Sequence, residues 1–266
     1  MVCLGQRLAQ IKVAMKETKA WFEEWFDTPE YHTLYGHRDE AEADDFVDSI
    51  CKKLELSHCT VLDAGCGAGR HIHAWARRGY DATGFDLSKN SILKAKNIAE
   101  QRNLHNADFY VLDLRKLKDC GAWRESYDIV TNLFTSFGYF PDEQDHIDVV
   151  KGFAHSLKDG GILIIDYLNP KYSESRLVSS EVVVKKDVEF QISRKIENGF
   201  FTKTISYTSP DLEVCSHTEL VKAWSVSELS ELLSSVGLQV KSVVGDYDFS
   251  EYSEDTPRMI LIAEKI

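Results

Sequence analysis

At 266 residues and 43% hydrophobic content, the chain is long enough to bury the core of one large α/β domain. Its 31 basic and 43 acidic residues give a net charge of −12, which leaves no general attraction for phosphate backbones and disfavours nucleic-acid partners. Residues 1–20 mix Gln, Lys and Glu with aliphatics instead of forming an apolar signal core, and no window has the length of a membrane span, so a cytoplasmic protein without membrane association is expected.

The segment up to residue 59 reads as helical and aromatic, with Trp21, Phe22, Trp25, Phe26, then Tyr31, His32, Tyr35 and His37. Pro29 ends the first helix or opens the next. Arg38-Asp39-Glu40 leads into a second amphipathic helix through Phe46, Val47, Ile50 and Leu54. At helical spacing such aromatics are either a core-facing stripe or, given the Tyr, His, Asp and Arg among them, the wall of a partly polar cavity. The sequence leaves the two open. The six cysteines, Cys3, Cys51, Cys59, Cys66, Cys120 and Cys215, form no C-x-x-C pair and have no His at zinc-finger spacing, so they are expected as small buried side chains with no metal.

Next comes Val61-Leu62-Asp63-Ala64-Gly65-Cys66-Gly67-Ala68-Gly69-Arg70, a buried strand running into a glycine-crowded turn, with a helical pattern from Ala68 onward. Three glycines in five residues let the backbone turn sharply and let a ligand lie against the main chain. Amides at the start of the following helix point into such a turn. A second strand, Ala82-Thr83-Gly84-Phe85, ends in Asp86, placed to accept hydrogen bonds from a ribose diol. A dinucleotide fingerprint would read G-x-G-x-x-G and hold a pyrophosphate. Here the spacing is Gly65-x-Gly67-x-Gly69, and Asp63 before the turn would repel a pyrophosphate but suit an ammonium group.

After a helix over residues 88–101, Asp108-Phe109-Tyr110-Val111-Leu112-Asp113-Leu114 reads as a third strand ending in an acid. Tyr127 to Phe134 reads as a fourth, followed by Thr135-Ser136-Phe137-Gly138-Tyr139. A helix rich in Asp, His and Val leads to Leu157-Lys158-Asp159-Gly160-Gly161, read as a turn, and to the strand Ile162 to Asp166. The pattern then changes to consecutive strands of two-residue period around Glu181, Phe190, Thr202 and Ser216, with hairpin signals at Asn198-Gly199 and Pro210-Asp211. This insertion could cover a substrate pocket, form a contact between two copies of the chain, or decorate the surface. Ser225-Val226-Ser227-Glu228 is a capping box, Gly237 stops the helix, and two strands follow near Gln239 to Val244 and Met259 to Ala263.

The ordered motifs resemble class I S-adenosylmethionine (SAM)-dependent methyltransferases from about Thr60 to Pro170, and again from Trp224. Within that family they look like the small-molecule branch that includes sugar N,N-dimethyltransferases, whose fourth-strand segment is similar to Phe134-Thr135-Ser136-Phe137-Gly138-Tyr139. The resemblance implies a Rossmann-like α/β sheet of seven strands with the last one inserted antiparallel. It also implies a helical N-terminal lid over residues 1–59, a SAM-binding core over 60–170, an antiparallel β insertion over 171–222, and completion of the core sheet over 223–266. The implied cofactor is SAM. Asp63, Gly65, Cys66, Gly67 and Gly69 would surround its methionine portion, and Asp86 would accept from its ribose while Leu87 packs on adenine. Asp113 and Leu114 would meet the adenine amino edge, though Asp113 could equally cap the next helix. Asn132, Tyr31 and Tyr35 complete the expected cofactor contacts.

On the substrate side, Tyr139 and His146 are the candidate catalytic groups, with Tyr31, His32 and Tyr35 nearby; His146 alone could also be a solvated residue on a polar helix. The substrate would be a small molecule accepting methyl on nitrogen or oxygen. Asn132 is followed by Leu133-Phe134-Thr135 rather than P-P-Y, no Pro-Cys nucleophile occurs, and no acid cluster suggests a magnesium site. Two alternatives stand beside this reading. A non-catalytic methyltransferase-like binding protein is opposed by the intact site residues, and an NAD-type oxidoreductase by the glycine spacing and the terminal strand pair.

Overall fold

The computed structural model describes residues 20–35, 40–209 and 212–266. Cys3, His37, Arg38, Asp39, Pro210 and Asp211, all named in the sequence reading, lie outside the described residues. Helices α1 (Trp21–Trp25), α2 (Pro29–Tyr35) and α3 (Glu40–Lys53) come first. They are followed by β1 (Thr60–Ala64), α4 (Arg70–Arg77), β2 (Asp81–Asp86), α5 (Lys89–Gln101), β3 (Ala107–Val111), β4 (Tyr127–Asn132), α6 (Glu143–Ser156), β5 (Leu157–Leu168) and α7 (Pro170–Ser175). Then come β6 (Ser180–Lys185), β7 (Val188–Glu197), β8 (Phe200–Thr208), β9 (Val214–Lys222), α8 (Val226–Ser234), β10 (Leu238–Val244) and β11 (Arg258–Lys265).

Seven strands form one sheet in the order β10-β11-β5-β4-β1-β2-β3. β1 pairs in parallel with both β2 and β4, whereas β11 runs antiparallel between β5 and β10, as the family resemblance implied. Strand order reverses at β1 and β4, which opens the crevice where ligands of open α/β sheets bind. The central strand β1 is buried on both faces, from Val61 to Ala64 without alternation and with Asp63 among the buried residues. Val61 packs with Phe46, Ile50 and Trp75 on one side, and Leu62 and Ala64 pack with Val130, Phe153 and Leu163 on the other.

Several boundaries differ from the sequence reading. α4 starts at Arg70, two residues later than Ala68, because Gly69 at φ +80 is its left-handed N-cap. β3 stops at Val111, so Asp113 lies beyond the strand. The segment Leu157 to Gly161 is not a turn but the first part of β5. Tyr127 pairs with Leu157, and the register shifts before Ile129 meets Ile162, which makes this stretch a bulged strand with Gly160 at φ +73.

The insertion forms a separate four-stranded sheet, β6-β7-β8-β9. Asn198 and Gly199 both have positive φ, as a two-residue hairpin requires; Lys186 and Asp187 do the same between β6 and β7 without a glycine to signal it. One face of this sheet, with Phe190, Ile192, Ile205 and Tyr207, packs against Trp25 of α1 and Leu34 of α2. The N-terminal aromatics therefore do both things considered for them: Trp25 and Leu34 are buried core, while their neighbours reach the crevice. Among the described residues no helix is long and apolar enough to cross a membrane.

Candidate active site

β1 delivers the chain into Gly65-Cys66-Gly67-Ala68-Gly69, whose glycines have φ of +81, +54 and +80. The three are glycine for different reasons. A Cβ on Gly65 would lie 2.8 Å from Ser136 Cβ, and one on Gly69 would lie 2.6 Å from Phe109 Cε1, so these two permit close packing. A Cβ on Gly67 would meet no atom within 4 Å, because that residue faces open space. The turn is fixed by amides of Gly65 and Cys66, each donating to the Phe85 carbonyl at 2.9 Å. Across from it, Gly84 is bare because a side chain would strike Cys66 Sγ at 2.8 Å.

Asp86 ends β2 beside the turn. Its Oδ2 accepts from Gly67 N at 2.8 Å and its Oδ1 from Ser88 N at 2.9 Å. Burial pushes its pKa up, against the opposing effect of those amide bonds. Ser88 caps α5 through Ser91 N and donates to Asp27 Oδ1 at 2.7 Å, tying the α1–α2 connection to the end of β2.

These groups line a cavity of about 270 Å³. Gly65, Cys66 and Gly67 form one side, with Asp86, Leu87, Asp113 and Leu114 along an edge. Leu133, Phe134, Ser136, Tyr139 and Phe140 also line it, as do Phe22, Phe26, Tyr31, His32 and Tyr35 of the N-terminal segment. Tyr139 meets Trp21 and Phe26 edge-on, both at 5.4 Å. The Tyr35 hydroxyl bonds Glu219 at 2.7 and 2.9 Å and accepts from Lys203 Nζ. Glu219 and Lys203 also line a second cavity of about 410 Å³ beneath the small sheet.

The family follows from comparison with known proteins. The sequence profile of the methyltransferase-domain family matches residues 55–221. The chain belongs to that family. As the order of its motifs implied, it is a class I, SAM-dependent methyltransferase. It is 23% identical over 212 residues to the dTDP-3-amino-3,4,6-trideoxy-α-D-glucopyranose N,N-dimethyltransferase of Streptomyces venezuelae, covering 77% of this chain and 85% of that protein. The CcbJ methyltransferase of Streptomyces caelestis has the same fold, with a TM-score of 0.75 at 17% identity over 91% of this chain and 98% of that one. The sugar N-methyltransferase KedS8 of Streptoalloteichus shares it too, at a TM-score of 0.66 and 19% identity over 88% and 92%.

Of the residues singled out in its sequence, the methyltransferase brings Gly65, Cys66, Gly67, Asp86, Leu87, Asp113, Leu114, Tyr31, Tyr35 and Tyr139 to one cavity. It does not bring Asp63, Gly69, Asn132 or His146 there. Asp63 is 1% exposed behind the turn and accepts from Thr131 Oγ1 at 2.7 Å; burial pushes its pKa up to about 7 despite that bond. Gly69 supports packing under α5 and β3, and Asn132 holds the turn by donating Nδ2 to the Ala64 carbonyl at 2.7 Å. Cys66 is buried, which pushes its thiol pKa well up and rules out a ready thiolate.

His146 is the clearest correction. It is 1% exposed among the rings of Phe137, Phe140 and Trp224, at 5.2 to 5.5 Å, and is no solvated residue. Burial, helped by Lys222, pulls its pKa down to about 4, so it is neutral at pH 7 and outside the cavity. The signal was present: positions 146, 149, 150 and 153 share the buried face of α6. For Asp113 the capping alternative is realised. It accepts from Arg115 N at 2.9 Å as the N-cap of a 3-10 helix, and Arg115 Nη2 lies 2.5 Å from Oδ2. Burial alone would raise its pKa; the Arg115 bonds hold it below the ordinary carboxylate value.

Sequence reasoning missed Arg70 and the backbone at Phe134. Arg70 pairs with Glu42 at 2.5 Å and places its guanidinium 4.6 Å over the Phe134 ring. Phe134 and Thr135 both have φ of +60, a left-handed conformation costing about 1–2 kcal/mol per non-glycine residue. No propensity marks a Phe-Thr pair for that geometry.

Proposed function

We propose that the methyltransferase binds SAM along the glycine turn and transfers its methyl group to a nitrogen of a small molecule. One observation carries this reading: Gly67 is a left-handed glycine facing open space directly beside the Asp86 carboxylate, a cradle that any side chain would fill. The residues fit the cofactor. Gly65 and Gly67 would flank its methionine portion, Asp86 would accept from the ribose hydroxyls, and Leu87 and Leu114 would pack on adenine. Asp113, already engaged by Arg115, would offer the adenine amino group only its remaining acceptor capacity. Tyr31 and the other N-terminal aromatics would act as a lid that excludes water.

When bound, SAM supplies an electrophilic methyl group, so the protein's contribution is chiefly alignment and exclusion of water. Phe134, Tyr139 and Phe140 form the wall where an acceptor would stand, and the Tyr139 hydroxyl would orient its lone pair. The lining favours an amine over a hydroxyl. His32, His71 and His73 all have pKa values lowered by burial, and His73 Nε2 is 3.0 Å from the Ala95 carbonyl. The lining carboxylates are also engaged: Glu40 pairs with Arg102, Asp113 with Arg115, and Asp86 accepts from two backbone amides. An amine needs only to lose a proton, whereas a hydroxyl needs a firm base. The N,N-dimethyltransferase relative, named for an amino sugar, supports the same choice, and the charge of −12 supports a small molecule over a nucleic acid. A second copy of the chain would find its place at the edge strand β6, where Val182 and Val184 are exposed.

Titration calorimetry with SAM, its demethylated product S-adenosylhomocysteine and NAD tests the cofactor. SAM and its product should bind with micromolar affinity and NAD should not. Asp86→Ala should weaken both by about 1–3 kcal/mol through lost charge-assisted hydrogen bonds. Unchanged affinity in that variant, or equal affinity for NAD, contradicts the reading. Methyl transfer from labelled SAM to parallel panels of amines and alcohols then tests the acceptor atom; labelling of alcohols alone would overturn the choice of nitrogen.

A further inference from the structure

The left-handed pair Phe134–Thr135 is gripped by a buried ion pair on the neighbouring strands. Asp166, on β5 and 1% exposed, takes Phe134 N on Oδ2 at 2.7 Å, while its own carbonyl takes Thr135 N at 2.9 Å. Arg258, on β11, donates Nε to Asp166 Oδ1 at 2.6 Å and Nη2 to Thr135 Oγ1 at 3.0 Å. Tyr247 adds its hydroxyl to Asp166 Oδ2 at 3.1 Å. Three contacts thus converge on two residues whose backbone conformation is intrinsically unfavourable, and two more, from Arg258 and Tyr247, brace the Asp166 carboxylate. The Phe134 ring that results lines the cavity between two guanidiniums, Arg70 at 4.6 Å and Arg258 at 5.7 Å from its centroid.

A buried ion pair is weak evidence for stability in itself, because desolvation offsets its attraction. Its placement here has a different consequence. Without the carboxylate, the Phe134 amide loses a charged acceptor and the backbone is free to relax out of the left-handed region, which swings the ring away from the cavity. Strain of this kind persists only where surrounding structure enforces it, and it concentrates at functional sites.

We propose that Asp166 and Arg258 are positioning residues of the methyltransferase. Through Phe134 N and Thr135 Oγ1 they hold the 134–135 backbone left-handed and so fix the Phe134 ring as a wall of the cofactor cavity. The assignment of that cavity to the cofactor rests on the function proposed above; the clamp itself rests on the contacts alone.

Two readouts on the full chain separate these. With 4-fluorophenylalanine at position 134, the wild-type background should give one sharp fluorine resonance. Arg258→Met should broaden or split it at temperatures where circular dichroism still reports a folded protein. Adding Thr135→Gly, which removes the strain at one of the two left-handed positions, should move the spectrum back toward one resonance. In parallel, calorimetry with S-adenosylhomocysteine should find binding weakened about tenfold or more in Arg258→Met and at least threefold recovered in the double variant. Asp166→Asn, nearly isosteric and still able to accept from Phe134 N, should show smaller changes in the same direction and serves if Arg258→Met does not fold. A sharp, unshifted fluorine resonance in both Arg258→Met and Asp166→Asn, or no recovery on adding Thr135→Gly, overturns the proposal. Failure of the wild-type protein to bind S-adenosylhomocysteine would instead count against the cofactor reading, while the fluorine resonance still decides the clamp.

Discussion

Replacing Gly67 with valine should weaken binding of SAM and S-adenosylhomocysteine by about 100-fold or more, roughly 2.7 kcal/mol, while the protein stays folded. A Cβ there meets no protein atom within 4 Å, so the first carbon of the new side chain displaces nothing in the free molecule. Its stability cost is the left-handed φ of +54, about 1–2 kcal/mol and somewhat more for a β-branched residue, against a typical total of about 5–15 kcal/mol. Gly67 lines the cavity, so the new volume adds to its wall. Two companion variants show whether the effect belongs to the site. Gly79, at φ +84 with nothing within 4 Å and away from the cavity, carries the same strain, so Gly79→Val should lower the melting temperature similarly and leave affinity unchanged. Gly69→Val should destabilise much more, because its Cβ would overlap Phe109 at 2.6 Å. Calorimetry and thermal melts of the three variants suffice. If Gly67→Val binds within threefold of the wild type, the ligand does not lie against the turn.

The turn glycines Gly65, Gly67 and Gly69 also show what could be read from the sequence and what could not. Their spacing gave the turn and, with Asp86, the kind of site, because both depend on local backbone geometry. Their division of labour was invisible, since it depends on whether Ser136, Phe109 or nothing stands opposite, and those neighbours come from β3 and the segment after β4. The single strands, turns and caps were legible for the same local reason, down to the capping box at Ser225 and Glu228, whereas their assembly into one seven-stranded sheet came from the resemblance to class I methyltransferases. His146 was misjudged because its polar neighbours on α6 outweighed its apolar companions three, four and seven positions on. The left-handed pair at Phe134 and Thr135 is a tertiary override, enforced by Asp166 and Arg258 from strands distant in sequence. The same is true of the junction between the N-terminal helices and the insertion, which joins residues 194 positions apart.

At that junction, Glu219→Ala should release the aromatic cover and speed hydrogen exchange in residues 21–35 by about 30- to 1000-fold. Glu219 Oε1 accepts from Trp25 Nε1 at 2.7 Å and from the Tyr35 hydroxyl at 2.7 Å, and Lys203 Nζ lies 3.9 Å from Oε2. One carboxylate on β9 therefore holds both α1 and α2. Trp25 is fully buried, stacked 4.4 Å from the ring of His217, so its indole N–H would lose its partner where water cannot replace it. An unsatisfied buried donor costs about 1–3 kcal/mol, and the added loss at Tyr35 and Lys203 brings the expected shift in the opening equilibrium to about 2–4 kcal/mol. Glu219→Gln keeps an acceptor for Trp25 and should have a clearly smaller effect. If the helices cover a bound cofactor, S-adenosylhomocysteine should slow exchange in residues 21–35 of the wild type, and Glu219→Ala should lose much of that protection along with affinity. Exchange that is indifferent to S-adenosylhomocysteine would make α1 and α2 ordinary core, whatever Glu219 does. Exchange that responds to S-adenosylhomocysteine but not to Glu219→Ala would keep the lid and move its latch elsewhere, the Ser88–Asp27 contact at the other end of the same helices being the next to test.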